Sequence, residues 1–137
     1  MAMATRQESR NRSLFERIGG MPAVQAAVDI FYCKVVADDR ISYFFQHIDM
    51  DKQSGKLKAF LAYAFGAPMH YDGKSMHAAH RHMQITEVHF DAVAGHLVDT
   101  LHELNVPSEL IDEVLAVAHS VRGDIINTPA EDQAIRA

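Results

Sequence analysis

Two groups of side chains in this sequence are placed where chemistry is feasible. His77, His80 and His82 are three histidines within six residues, and Tyr32 and Gln53 stand at positions that helical spacing turns toward a core. An imidazole binds metals and carries protons near neutral pH. A phenol and an amide donate hydrogen bonds in fixed directions. Together they suit a small ligand held at a metal on one side and steadied by donors on the other. Spacing alone leaves a plainer reading open, in which the histidines are solvated and Tyr32 is a core tyrosine bonded to a backbone carbonyl. Gln53 argues more strongly, because burying an amide without partners costs on the order of 1–3 kcal/mol.

The elements that carry these groups follow from caps and periodicity. Ser75 and Thr86 read as successive N-caps, so the histidine segment between them holds only about two helical turns. So short a helix nucleates poorly, and a bond from one histidine to a metal would hold it. His77 and His80 are spaced i, i+3 on one face, while His82 points elsewhere. A Gly/Pro-rich loop precedes the segment, with Gly66, Ala67, Pro68, Asp72 and Gly73.

Upstream, Ser13 with Glu16 forms a capping box and Gly19-Gly20 a stop. Pro22 then opens a helix whose stripe is Val24, Val28, Phe31, Tyr32 and Val35. Residues 40–45 read as a short turn delivering Tyr43, Phe44 and Phe45 to the core. Asp49 caps a helix with the inner stripe Met50, Gln53, Leu57, Phe60, Leu61 and Ala64. Lys56 lies at the edge of that stripe, where its stem covers apolar surface and its ammonium reaches outward. After Thr86 a long helix carries Phe90, Val93, Leu97, Leu101 and Leu104, and a last one carries Ile111, Val114, Ala118, Val121 and Ile125. No alternating strand pattern occurs, so the expected class is all-α, with four substantial helices and several short ones.

The chain has 137 residues, 48% of them hydrophobic, which is one domain with a single core. Its 13 Lys and Arg against 18 Asp and Glu give a net charge of −5, unfavourable for nucleic acid or an anionic membrane. No apolar run approaches the ~20 residues of a membrane span, and no secretory signal opens the chain. One cysteine, Cys33, fits a reducing cytoplasm, and its apolar helix predicts a small buried hydrophobe. The polar segments 1–12 and 128–137 read as flexible tails around a domain at 13–127. Zinc, P-loop, dinucleotide-binding and nucleophile-elbow motifs are missing, which removes the usual hydrolase, kinase and dehydrogenase readings.

Several stretches carry a resemblance: Ser13-Leu14-Phe15-Glu16-Arg17-Ile18-Gly19-Gly20, Phe31-Tyr32, Ala37-Asp38-Asp39-Arg40, Phe44-Phe45, Asp49-Met50-Asp51-Lys52-Gln53, Ala64-Phe65-Gly66, Tyr71-Asp72-Gly73, Met76-His77-Ala78-Ala79-His80, His89-Phe90-Asp91-Ala92-Val93-Ala94 and Val106-Pro107-Ser108-Glu109-Leu110-Ile111. In register from Ser13 to Asn127, the chain resembles the group I truncated haemoglobins, a truncated globin fold with a two-over-two helical sandwich around haem. The resemblance implies haem b as cofactor, with His80 as the proximal iron ligand through Nε2 and His77 at the haem edge or in solvent. It implies Tyr32 as main distal donor with Gln53 second, and Phe44, Phe45, Leu57, Phe60 and Val93 as apolar walls. Lys56 takes the position of a propionate partner or, in some relatives, of a sixth iron ligand; we expect the propionate role. Where the family has a second loop glycine this chain has Ala67. Covalent haem attachment, known in relatives, falls in register on Val121, with His119 the only candidate nearby, so haem is expected to leave in acid-butanone extraction.

The ligands implied are dioxygen, nitric oxide, carbon monoxide and cyanide. One function is conversion of nitric oxide by a nitric oxide dioxygenase activity, which needs an external reductase because this chain has no flavin or nicotinamide module. The alternative is a simple oxygen carrier or sensor, with a lysine-ligated resting state. A third reading is a non-haem helical interaction module, which would purify colourless. A monomer is expected. His47, His70, His82, His89, His96 and His102 are assigned to the surface.

Overall fold

The computed structural model describes residues 12–81 and 83–126. His82 and nearly all of the two predicted tails lie outside the described residues. Within them the regular structure is all helix, with no strand, as expected.

Helix α1 (Leu14–Ile18) starts where the Ser13 hydroxyl accepts the Glu16 N–H at 3.1 Å, and ends at Gly19, φ +116°. Helix α2 (Gly20–Val36) buries Val24, Ala27, Val28, Phe31, Tyr32 and Val35, the predicted stripe. Cys33 is exposed, contrary to expectation. At ~100° per residue it stands on the face opposite Val24, and an apolar helix does not bury every residue it contains.

A 3₁₀ turn (Ser42–Phe45) follows. Tyr43 is 48% exposed rather than delivered to the core. Successive residues of a 3₁₀ turn diverge by a third of a turn, so three in a row cannot all face inward. Helix α3 (Met50–Ala64) is capped by Asp49, whose carboxylate accepts the Asp51 and Lys52 N–H groups. It ends at Phe65 and Gly66. With φ +98°, and with an added Cβ 2.9 Å from that of Ser13, residue 66 has to be glycine. Ala67 takes no positive φ, so the missing second glycine does not alter the turn.

Helix α4 (Met76–His80) is capped by Ser75, and α5 (Glu87–Glu103) by Thr86. The last predicted helix is broken at Val121 into α6 (Ser108–Ser120) and α7 (Arg122–Ile125). The Ser120 hydroxyl donates back to the Val117 carbonyl at 2.5 Å, a bond that competes with the helix ladder and bends it.

Helices α2 and α3 pack together, α5 and α6 pack together, and α2 lies across α5. Val24, Val28, Val35, Ile41, Leu101 and Val114 fill the space between the pairs. Ion pairs Arg17–Glu113, Lys34–Glu103 and Lys58–Asp29 fasten helix to helix at the rim. The packing of α4 is on α7, and nothing comparable joins it to α2 or α3. The histidine helix therefore stands apart from the pair that carries Tyr32 and Gln53.

Candidate functional site

Tyr32 is buried, with its ring 5.3 Å from Phe31 and 5.8 Å edge-on from Phe45. Its oxygen accepts a hydrogen bond from the Gln53 amide, Nε2 to Oη 3.1 Å. The amide that an apolar stripe cannot leave unpaired has its partner here. Burial pushes the phenol pKa above its ordinary value, partly offset by the Gln53 bond, so the proton stays on. Since the oxygen is the acceptor toward Gln53, the O–H hydrogen is not used in that bond and can be donated elsewhere. Two donors held by different helices thus stand side by side.

On α4 the His80 Nδ1 lies 2.7 Å from the Met76 carbonyl oxygen. A carbonyl only accepts, so Nδ1 carries the hydrogen and the lone pair of the neutral ring is on Nε2. Such a backbone bond fixes the tautomer and orientation of a metal-ligating imidazole. His77 is exposed.

Around Tyr32 and Gln53 the protein presents apolar side chains that it covers incompletely. Phe44, Phe45, Leu57, Leu61, Val93 and Leu97 pack against the core yet remain partly accessible. Phe60 is likewise half-buried, edge-on to Tyr71 at 5.8 Å. Half-covered aromatic and aliphatic walls, a nitrogen lone pair and two donors are a donor set that fits haem. Lys56 is exposed and forms no ion pair among the described residues, so its ammonium is open to a carboxylate at the rim. An apolar cavity of about 330 Å³, lined by Ile18, Ala27, Phe65, Leu101 and Val114, abuts these walls through Leu61 and Leu97.

Two histidines assigned to the surface are partly buried and engaged by neighbours. His96 places Nε2 2.6 Å from Asp38, whose carboxyl is held far below the usual range by the Arg40 guanidinium first and His96 second. His89 is half-buried, and its ring bonds the Thr86 N–H on one side and faces Tyr43 on the other. A sequence signal for His89 existed: it is the third residue after the Thr86 cap, the place where a capping box puts its reciprocal acceptor. His119 packs against Phe90, 5.9 Å between rings.

Comparison with known proteins agrees with the architecture. The family described as bacterial-like globin matches residues 13–127. A group 1 truncated hemoglobin of Chlamydomonas moewusii is 47% identical over 124 residues, 89% of this chain and 72% of the relative. The group 1 truncated hemoglobin GlbN of Synechocystis is also 47% identical, over 84% of this chain and 98% of its own. Among solved structures, truncated hemoglobin from Tetrahymena pyriformis in the Fe(III) form is similar at a TM-score of 0.81 and 41% identity, covering 84% of this chain and 98% of that one. A Synechococcus 2/2 hemoglobin, solved in the cyanomet state with covalently attached heme, gives a TM-score of 0.80 at 48% identity over 85% of this chain and 99% of that one.

Proposed function

The chain belongs to the bacterial-like globin family, in its group 1 truncated form, and from that premise we propose that its gas site serves nitric oxide detoxification. Haem is the cofactor, and binding of diatomic gases at haem is the activity common to the family. When bound, haem supplies a ferrous iron that takes a diatomic gas and passes electron density onto it.

The chain's own residues do the rest in this reading. His80 presents Nε2 to the iron, with Nδ1–H on the Met76 carbonyl fixing the ring. Tyr32 donates its O–H to the ligand while Gln53 holds the phenol oxygen and serves as second donor. Phe44, Phe45, Leu57, Phe60 and Val93 form dry walls that keep water from the gas. Lys56 pairs with a propionate, His77 stays at the solvent edge, and haem is held without a covalent bond. Nitric oxide, dioxygen and one electron make nitrate, and an external reductase supplies the electron.

The Tyr32–Gln53 pair carries this reading. A buried phenol with its proton retained and its oxygen already engaged donates to a polarised ligand. Rapid mixing of the oxygenated protein with nitric oxide tests it: nitrate should form one for one within the mixing time. Oxygenated protein that survives the pulse without yielding nitrate would reduce the function to oxygen holding or sensing.

A further inference from the structure

His89 has both ring nitrogens engaged, each on a different element. Nδ1 accepts the Thr86 N–H at 3.1 Å while the Thr86 hydroxyl accepts the His89 N–H at 3.3 Å, a reciprocal cap on the first turn of α5. With Nδ1 accepting, the ring hydrogen sits on Nε2, which lies 3.3 Å from the Tyr43 hydroxyl of the 3₁₀ turn. The ring also meets Phe44 edge-on at 5.1 Å, and Phe44 stacks on Tyr43 at 4.3 Å. One imidazole thereby ties the turn that carries Phe44 and Phe45 to the start of the helix that carries Val93.

We propose that His89 is a positioning residue for the haem wall: neutral, it caps the head of α5 and ties the Phe44 turn to it, and protonated, it gives up the Thr86 cap on which that tie is anchored. Its effect on cofactor retention rests on the haem reading above; the latch itself does not.

The chemistry follows from the geometry. A capping box ordinarily uses glutamate or glutamine as reciprocal acceptor, and both accept across the physiological range. An imidazole accepts at Nδ1 only while neutral. Protonation sets a ring N–H against the Thr86 N–H, donor to donor, and places positive charge at a helix N-terminus, where the macrodipole disfavours it. The charged and titratable groups around the ring do not rescue the cation. Tyr43 comes from the 3₁₀ turn, Glu87 of the same helical turn is paired with Arg122 of α7 at 3.4 Å, and among the described residues no carboxylate takes either ring nitrogen. Burial also pushes the His89 pKa below its ordinary value.

The test compares wild type with His89→Gln and His89→Ala. Transfer of ferric haem to excess apomyoglobin is timed between about pH 7.5 and about pH 5, the range over which an imidazole changes charge. Exchange of the Thr86 amide is followed by NMR on the carbonmonoxy protein over the same range. Acid effects on the rest of the protein are common to all three chains, so the difference between them isolates His89. Wild type should lose haem roughly fivefold faster than His89→Gln on the acid side and match it on the alkaline side, the factor given by loss of a cap worth about 1 kcal/mol. His89→Ala should be fast at both ends, and Thr86 protection should fall with acid in wild type alone. Parallel pH profiles for wild type and His89→Gln, or Thr86 protection that ignores pH, would overturn the proposal. A chain that takes up no haem would refute the haem reading, and Thr86 exchange on the purified protein would still decide the latch.

Discussion

Replacing Tyr32 by phenylalanine removes one oxygen and leaves the ring in its contacts with Phe31 and Phe45. What is lost is a donor. A hydrogen bond to a charged or strongly polarised acceptor contributes roughly 1.5–3 kcal/mol. At about 1.36 kcal/mol per decade, dioxygen dissociation should accelerate between roughly tenfold and a hundredfold. The second donor decides where in that range the result falls. Gln53 now gives its amide hydrogen to the phenol oxygen at 3.1 Å, and in Tyr32→Phe that hydrogen is released to the ligand. The single variant should therefore lie near tenfold, Gln53→Leu should change the rate only a few-fold, and the double variant should approach the full hundredfold, a non-additivity expected of residues in contact. Stopped-flow displacement of dioxygen by carbon monoxide reads all three rates. Because burial keeps the proton on Tyr32 beyond its ordinary range, the wild-type rate should also stay level through mildly alkaline pH. A Tyr32→Phe rate within twofold of wild type, with the whole effect in Gln53→Leu, would refute the assignment of the phenol as main donor.

Other expectations are as direct. His80→Ala should lose its Soret band or bind haem weakly, whereas His77→Ala should keep it; an unaltered spectrum and tight binding in His80→Ala would transfer the proximal role to His77. Lys56→Ala should leave ligand-free ferrous protein five-coordinate and speed haem loss a few-fold, in line with an exposed ion pair of about 0.5–1 kcal/mol; a six-coordinate wild-type spectrum that vanishes in the variant would make Lys56 an iron ligand. Gly66→Ala forces a side chain onto a φ of +98° and against Ser13, and should lower unfolding free energy by about 1–3 kcal/mol in urea. Asp38, with its folded pKa depressed, contributes stability above its unfolded value of about 3.8 that is lost as pH falls toward the folded value. Asp38→Asn should accordingly be less stable near neutrality and show a shallower acid slope in the same titration.

Much of this arrangement was readable from residue types. Ser13, Asp49, Ser75 and Thr86 announce four helix starts because a short side-chain oxygen before an apolar stripe has few other uses. Gln53 betrays the site because an amide in such a stripe requires a partner, which proves to be Tyr32. Pattern failed where a third dimension decides. Cys33 shares an apolar neighbourhood in the chain but faces away from the core. Tyr43 follows the geometry of a tight turn rather than the hydrophobicity of its segment. The break at Val121 depends on one hydroxyl, that of Ser120, choosing a carbonyl of its own helix. His96 finds Asp38 from 58 positions away, a pairing no local spacing encodes.

Phe44, Phe45, Leu57 and Val93 are left partly accessible by the chain, and in the proposed seating haem would cover them, a structural ingredient as well as a reagent. A molecule that associates with the native chain alone adds RT ln(1 + [L]/Kd) to its stability, about 4 kcal/mol at a thousandfold excess over Kd. The haem-free chain should therefore be the less stable and the more readily digested form, which limited proteolysis with and without added haemin would read.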